Sequence, residues 1–233
     1  DLISKKVTKL AFPVKESNFS ICRSNDQIFF IGGNTGDTFS NKIYIYNVQT
    51  DNWSSATLTR ARRSPTVAYH DNKLLIAGGF NDFSNKLEIF DLISNTSKEL
   101  NLPMAISDPI LLVNKDELLV GAGDRNTIVK VDFKNLTIDQ PYTLEATANF
   151  SGLVRLKGSI IGNRAIFAGD RFPRIYIFDF ETDKWEIIGI PNIIKFASVF
   201  TYKDKLYIAG GVDEDQNNKY SKEIFIFDNL TSS

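Results

Sequence analysis

Sulfur and imidazole are almost absent from this 233-residue chain, which has one cysteine, Cys22, and one histidine, His70. A single cysteine excludes an internal disulfide and any zinc or iron–sulfur site with several thiolate ligands. A single histidine likewise excludes a metal site with several imidazole ligands. The chain also lacks a glycine-rich phosphate loop and the G-x-S-x-G elbow of many hydrolases. The sequence therefore predicts no metal, no cofactor and no enzyme of these classes.

The chain has no excess of charge of either sign, because 27 basic side chains are balanced by 28 acidic ones. A net charge of −1 gives no general attraction to phosphate groups, so we expect neither nucleic acid nor membrane as a partner. No apolar run approaches the roughly 18 residues of a membrane span, and no signal-peptide core is visible. The first residue is Asp1 rather than Met. We expect the chain to be one module of a larger multidomain protein.

One pattern recurs five times along the chain, and each copy has an apolar run that ends in small residues. The last glycines of these runs are spaced by 42 to 46 residues and are Gly33, Gly79, Gly123, Gly169 and Gly211. A cluster of turn formers precedes each run, which predicts a hairpin. A segment of strict alternation follows each run and ends in Asn or Asp, which predicts a strand. With a further outer segment, each repeat is expected to form four antiparallel strands.

Four-stranded repeats of about 45 residues predict an all-β, five-bladed β-propeller that occupies residues 1–233 as a single domain. The repeat resembles the kelch repeat, which has a double glycine, an aromatic residue followed by Asn or Asp, and a later Trp. The first copy fills these positions with Gly32, Gly33, Tyr46 and Trp53. The resemblance implies a noncatalytic module for protein–protein interaction, such as an adaptor or scaffold.

The phase of the repeats predicts how the ring closes. Residues 5–13 fall at the outer-strand position of a repeat, whereas the fifth repeat stops before its own outer strand. We therefore expect the N-terminal segment to supply the outer strand of the last blade and to close a ring of five. The alternative is that the chain forms part of a six-bladed ring, which is the more common size among kelch propellers.

Arginines recur at one end of the predicted propeller. In a blade whose strands are named A to D from the axis outwards, the B–C and D–A connections share that end, which we call the loop face. The candidate partner-binding residues on the loop face are Arg60, Arg62, Arg63, Arg125, Arg171, Phe172 and Arg174. Guanidinium groups bind carboxylates or phosphates through paired hydrogen bonds. The sequence thus predicts noncovalent capture of an acidic segment of a partner protein.

Two other functions remain open. Asp124 and Asp170, in two copies of the sequence AGDR, could serve a carbohydrate-binding or glycoside-acting propeller, although the adjacent arginines would hinder a catalytic acid. The chain could instead be a structural spacer within a larger assembly.

The expected location is the cytoplasm, from the kelch resemblance and the absence of disulfides. Six N-x-S/T sequons favour secretion instead, and they are Asn18, Asn52, Asn95, Asn135, Asn149 and Asn229.

Overall fold

Antiparallel β-sheets account for the regular structure of the chain. The computed structural model describes residue 7 and residues 9–79, 84–121, 126–144, 156–169, 174–190, 194–195, 197–213 and 219–228. These ranges contain no α-helix, and therefore no helix that could span a membrane. Five sheets follow one another along the chain, one for each repeat, and we number them blades 1 to 5. The predicted all-β propeller fold is confirmed.

Blades 1 and 2 are complete, with strands A to D in order. The strands of blade 1 are β1 (Ser20–Arg23), β2 (Gln27–Ile31), β3 (Asn34–Thr35), β4 (Thr38–Asn47) and β5 (Asn52–Arg62). Its order is β1-β2-β4-β5, with the short β3 paired to the extended end of β4. The strands of blade 2 are β6 (Thr66–His70), β7 (Lys73–Ala77), β8 (Lys86–Asp91) and β9 (Thr96–Asn101), in that order.

Blades 3 and 4 repeat this arrangement, and blade 3 divides its outer strand into two short pieces. The strands of blade 3 are β10 (Ile110–Asn114), β11 (Glu117–Gly121), β12 (Thr127–Asp132), β13 (Thr137–Ile138) and β14 (Tyr142–Thr143). Both β13 and β14 pair with β12. The strands of blade 4 are β15 (Lys157–Ile161), β16 (Arg164–Ala168), β17 (Arg174–Asp179) and β18 (Lys184–Gly189).

Blade 5 has three main strands within the described residues. These strands are β20 (Ser198–Tyr202), β21 (Lys205–Ala209) and β24 (Ile224–Phe227), in that order. A separate small sheet lies beside them and is made of β19 (Ile194–Lys195), β22 (Val212–Asp213) and β23 (Lys219–Tyr220). It pairs the D–A connection with the long B–C connection of blade 5.

The turns between strands have the chemistry that the sequence predicted. Asp71 and Asn72, between β6 and β7, have φ values of 43° and 59°, the left-handed pair that a tight hairpin requires. In blades 1 to 4 the Asp or Asn that ends the C strand caps the next turn. Oδ1 of Asp91 accepts hydrogen bonds from the backbone N–H groups of Ile93 and Ser94, at 3.0 and 2.8 Å. Equivalent bonds are made by Asn47, Asp132 and Asp179.

The double glycine lets each blade meet the connection that leads into the next one. The N–H of Gly33 donates to the carbonyl oxygen of Arg62, and the N–H of Gly79 donates to that of Ser107, both at 2.8 Å. A Cβ atom on Gly32 would lie 2.4 Å from the Arg62 oxygen. A side chain is therefore excluded at this position by the close approach of the backbone.

Four apolar clusters hold neighbouring blades together. Between blades 1 and 2, Phe29, Ile31 and Ile43 pack against Leu74 and Ile76, and all five are fully buried. Blades 2 and 3, 3 and 4, and 4 and 5 share comparable clusters. Burial of both faces explains why the inner strands are almost continuously apolar. Trp185 of blade 4 packs with Tyr142 of blade 3 as parallel rings 4.3 Å apart, so it contributes to the contact between these blades.

The glycine register predicted for blade 4 is shifted by one residue. The strand β16 ends at Ala168, just as β2 ends at Ile31, so Gly169 corresponds to the first glycine of blade 1 rather than the second. In blade 3 the strand β11 ends at Gly121, one residue before Ala122. The two AGDR sequences therefore begin at different points relative to their strands. Asp124 and Asp170 themselves lie outside the described residues.

The expected closing strand is not formed by the described part of the N-terminal segment. Residues 9–13 form no strand, and Val7 is 92% exposed. Phe12 lies against blade 1, with ring centroids 4.9 Å from Phe30 and 5.0 Å from Trp53. In the described ranges β24 pairs only with β21. Residues 1–6 and 8 lie outside these ranges.

Candidate functional site

The loop face is built from connections of unequal size. In blade 1 the B–C connection continues the sheet as the hairpin of β3 and β4. In blade 5 the corresponding connection contributes β22 and β23 to the small sheet. In blades 3 and 4 only residues 122–126 and 169–173 separate the B and C strands. The long connections thus flank a stretch of short ones.

Arg62 does not belong to the exposed part of this face, and its prediction as a partner-binding residue is wrong. Its side chain is 0% exposed and points between blades 1 and 2. Nη1 donates to the carbonyl oxygen of Gly78 at 2.8 Å, and Nη2 lies 3.9 Å from Oε2 of Glu88. A guanidinium held in this way is inaccessible to a partner. Arg62 is a structural residue that links two blades.

Glu88 completes this buried polar site and was not singled out in the sequence. Its side chain is also 0% exposed, and Oε1 accepts hydrogen bonds from the backbone N–H of Thr59 at 2.8 Å and from Oγ of Ser97 at 2.7 Å. The bonds compensate for burial of the carboxylate, which would otherwise be costly. A signal was present, because Glu88 interrupts the apolar strand LEIFD at a position that Tyr44 and Tyr176 occupy in other blades.

The other described arginines among the predicted binding residues lie at the loop-face end of the blades. Nε of Arg60, at the end of β5, is 2.9 Å from Oε1 of Glu99 on blade 2, and its side chain is 42% exposed. Arg63 is half-buried in the D–A connection that follows. Arg174 is half-buried at the start of β17, directly after the short B–C connection of blade 4. These three arginines are thus spread over blade 1, the connection to blade 2, and blade 4 rather than gathered at one point.

The remaining candidates fall in connections outside the described residues. They are Arg125, Arg171 and Phe172 from the predicted binding site and Asp124 and Asp170 from the carbohydrate alternative. Their assignment to the loop face stays a prediction from the sequence.

The opposite end of the propeller carries the single histidine and a charged cluster. His70 precedes the hairpin turn of blade 2, and its ring centroid is 5.7 Å from that of Phe133. Nζ of Lys130 lies within 3.3 Å of carboxylates from Glu117, Asp139 and Asp183. Burial would lower the pKa of Lys130, but hydrogen bonds and ion pairs with Asp183 and Glu117 outweigh it and raise the pKa above its usual range. This cluster joins blade 3 to blade 4 beside a surface cavity of about 340 Å³.

The described ranges contain no group of three or more His, Cys, Asp or Glu side chains that could hold a metal ion.

Repeated four-stranded blades, double glycines and capped C–D turns define a β-propeller whose repeats resemble kelch motifs. The sequence model of the kelch motif matches residues 17–57 and 61–101, which include most of blades 1 and 2. The resemblance to kelch-repeat propellers is therefore confirmed, and the first two repeats are kelch motifs. Kelch repeats are typical of protein-interaction domains, and proteins that carry them are generally noncatalytic.

Two known proteins place this similarity in context. The F-box/kelch-repeat protein At4g19870 of Arabidopsis thaliana is 30% identical over 83 residues, which are 33% of this chain and 21% of the relative. The chain thus matches about a fifth of the length of that protein. The solved structure of YjhT superposes with a TM-score of 0.62 and 16% identity, over 92% of this chain and 83% of its own. At this identity the likeness concerns the fold alone.

Proposed function

We propose that this chain binds a partner protein through its loop face, with Arg60, Arg63, Arg125, Arg171, Phe172 and Arg174 contacting an acidic segment. The observation that carries the proposal is the presence of two kelch motifs in a propeller scaffold. A rigid scaffold that presents loops of different heights at one end is a common arrangement for binding. Arg62 is left out of the binding residues because its side chain is buried.

Charge supports an acidic partner. The chain is nearly neutral as a whole, so Arg60, Arg63 and Arg174 add positive charge to the loop-face end that an acidic segment can pair with. Arg60 already contacts the carboxylate of Glu99 at 2.9 Å, and an acidic partner could replace this exposed intramolecular pair. A bidentate contact with a partner carboxylate is stronger when the interface excludes water.

The test compares charge reversals at the two ends of the propeller. The loop-face variant carries Arg60→Glu, Arg171→Glu and Arg174→Glu. The control carries Lys115→Glu, Lys134→Glu and Lys203→Glu, which change the net charge equally in A–B and C–D turns at the opposite end. Both are first checked for native circular dichroism. Each protein is then applied to an array of acidic peptides and of matched peptides in which Gln and Asn replace Glu and Asp.

We expect the native chain and the control to retain the same acidic peptides, and the loop-face variant to lose them. Binding should weaken as salt concentration increases, because the contacts are partly electrostatic. Equal retention by the loop-face variant would contradict the assignment of the site. Retention of the uncharged peptides as strongly as the acidic ones would contradict the acidic partner. Affinity capture with the same three proteins then identifies the natural partner.

A further inference from the structure

Blade 5 exposes a surface that every preceding blade buries. We call the side of a blade that packs against the next repeat its forward face. In blade 1 the forward face includes Phe29, Ile31 and Ile43, which are 0% exposed under blade 2. The corresponding residues of blade 5 come from β20, β21 and β24, which pair in the same order. They include Phe200, Tyr207, Ile224 and Ile226.

These residues are apolar but accessible to solvent. Phe200, Ile224 and Ile226 are 49%, 61% and 53% exposed. Phe200 and Tyr207 are stacked on each other, with ring centroids 4.9 Å apart, and form a flat aromatic surface. The opposite face of the same sheet is buried against blade 4 through Leu206 and Ile208. Blade 5 is thus a blade with one covered face and one uncovered face.

The side of blade 1 that faces away from blade 2 is also incompletely covered. We call the space between this side and the forward face of blade 5 the gap. Ile21 of β1 points away from blade 2 and is 62% exposed. Its counterpart in blade 2, Val67, packs into the cluster between blades 1 and 2. The inner strands pack side by side in the series β1, β6, β10, β15 and β20. The described residues show no comparable packing of β20 against β1.

The N-terminal segment indicates what belongs in this gap. Phe12 packs on the aromatic side chains of blade 1 that point towards the gap, at 4.9 Å from Phe30 and 5.6 Å from Tyr44. Leu58, near the end of the outer strand of blade 1, packs on blade 2 in the same manner. Phe12 therefore occupies the position of an outer-strand residue from a preceding blade.

We infer that the forward face of blade 5 docks the three inner strands of one further β-blade, which are provided by polypeptide outside residues 1–233 and whose facing side is apolar. The four existing interfaces all join a forward face to a sheet of this kind, so the fifth continues an established series.

The inference predicts that the substitution Ile224→Lys affects the urea midpoint of unfolding differently in two proteins. In the 233-residue chain, Ile224→Lys should leave the urea midpoint of unfolding nearly unchanged, because the side chain is already in water. The matched control is Ile43→Lys, at the corresponding buried position of blade 1, which should lower the midpoint sharply or prevent folding. In a second protein, residues 48–91 are repeated after residue 228 to supply an outer strand for blade 5 and three strands of a sixth blade. There Ile224→Lys should lower the midpoint clearly.

Three results would overturn the inference. The first is a large fall in the midpoint for Ile224→Lys in the 233-residue chain, which would mean that blade 5 already packs against blade 1. The second is spontaneous disulfide formation in a Cys22→Ser chain with Ile21→Cys and Phe200→Cys, which requires the two faces to meet. The third is a discrete dimer in sedimentation that Ile224→Lys abolishes, which would make a second copy the occupant. A monomer without the disulfide is the expected result, and it does not depend on the folding of the extended protein.

Discussion

Arg62 and Gly78 are joined by a 2.8 Å hydrogen bond from the guanidinium Nη1 to the carbonyl oxygen. The carbonyl oxygen of the same arginine accepts the N–H of Gly33, also at 2.8 Å. One residue in the connection between two blades thus contacts the double glycines of both. The position of Arg62 is explained by its bonds to the two blades rather than by partner binding.

Removal of the Arg62 side chain should destabilise the propeller strongly. Arg62→Ala leaves the buried carboxylate of Glu88 without its cation, and breaking a buried ion pair from one side costs about 3–5 kcal/mol. The free energy of unfolding from urea titration measures this loss. Arg60→Ala is the matched control, since its pair with Glu99 is exposed and should contribute under about 1 kcal/mol. Equal effects of the two substitutions would contradict the structural role of Arg62.

A double substitution separates the ion pair from the packing around it. Arg62→Met together with Glu88→Leu removes both charges while keeping apolar volume, and such replacements are often nearly neutral. We expect the double variant to be more stable than Arg62→Ala alone. If it is less stable, the hydrogen bonds to Gly78 and Thr59 matter more than the buried charges.

The capped C–D turns predict a loss of stability in acid. Backbone hydrogen bonds from Ser94 and Asn135 hold the pKa values of Asp91 and Asp132 below the usual range of an aspartate. At Asp179 burial acts in the opposite direction, but hydrogen bonds from Thr182 and Glu181 outweigh it and lower the pKa. A pKa lower in the folded than in the unfolded state gives stability that is fully present above the unfolded value, about 4. That stability is lost as the pH falls through the lowered values.

Asn substitution tests this origin, because Asn47 already caps the turn of blade 1 without titrating. We expect Asp91→Asn, Asp132→Asn and Asp179→Asn together to keep the fold at pH 7 and to flatten the dependence of unfolding free energy on pH below 4. The measurement is a series of urea titrations between pH 2 and pH 7. An unchanged acid slope in the triple variant would assign the dependence to other carboxylates.

The burial of Cys22 predicts that its thiol reacts slowly with disulfide reagents. Desolvation raises the pKa of Cys22 to about 12, so almost none of it is thiolate at pH 8. We expect native protein to react with a disulfide reagent at least about 100-fold more slowly than protein unfolded in urea, where the pKa returns to about 8.5. Rapid labelling of protein with native circular dichroism would show that β1 is more open than described here.

The sequence was sufficient for the repeat architecture because the repeat is periodic in several independent features. Alternation in segments such as IYIYN, turn formers such as Asp71 and Asn72, and the recurring glycines all indicate the same four-stranded unit. These features depend on local backbone chemistry. They do not depend on which blade lies next to which, so they can be recognised without a structure.

The site was harder to predict because side-chain exposure depends on neighbouring blades. Arg62 and Arg60 are two residues apart in one strand, yet one is fully buried and the other is largely accessible. The register predicted for blade 4 was wrong by one residue for a related reason. The sequence places an alanine before Gly169 as it does before Gly123, and only strand pairing shows that Ala168 belongs to the strand itself.

Glycine at the first position of the pair should be required by space as well as by conformation. Gly78 has φ of +65°, and a Cβ there would lie 2.6 Å from the Ser107 carbonyl oxygen and 2.5 Å from Cδ of Pro109. Gly36 has a similar φ of +57° but no atom within 4 Å of the added Cβ. Gly36→Ala should therefore cost only the conformational strain, about 1–2 kcal/mol. Gly78→Ala should add the cost of overpacking, about 1–3 kcal/mol.

Urea unfolding of the two variants measures the difference between these costs. A larger loss for Gly78→Ala means that the connection through Ser107 is pressed against the double glycine, as the hydrogen bond from Gly79 to Ser107 requires. Equal losses would mean that this connection can move away at little cost, so that the double glycine is kept for its backbone conformation alone.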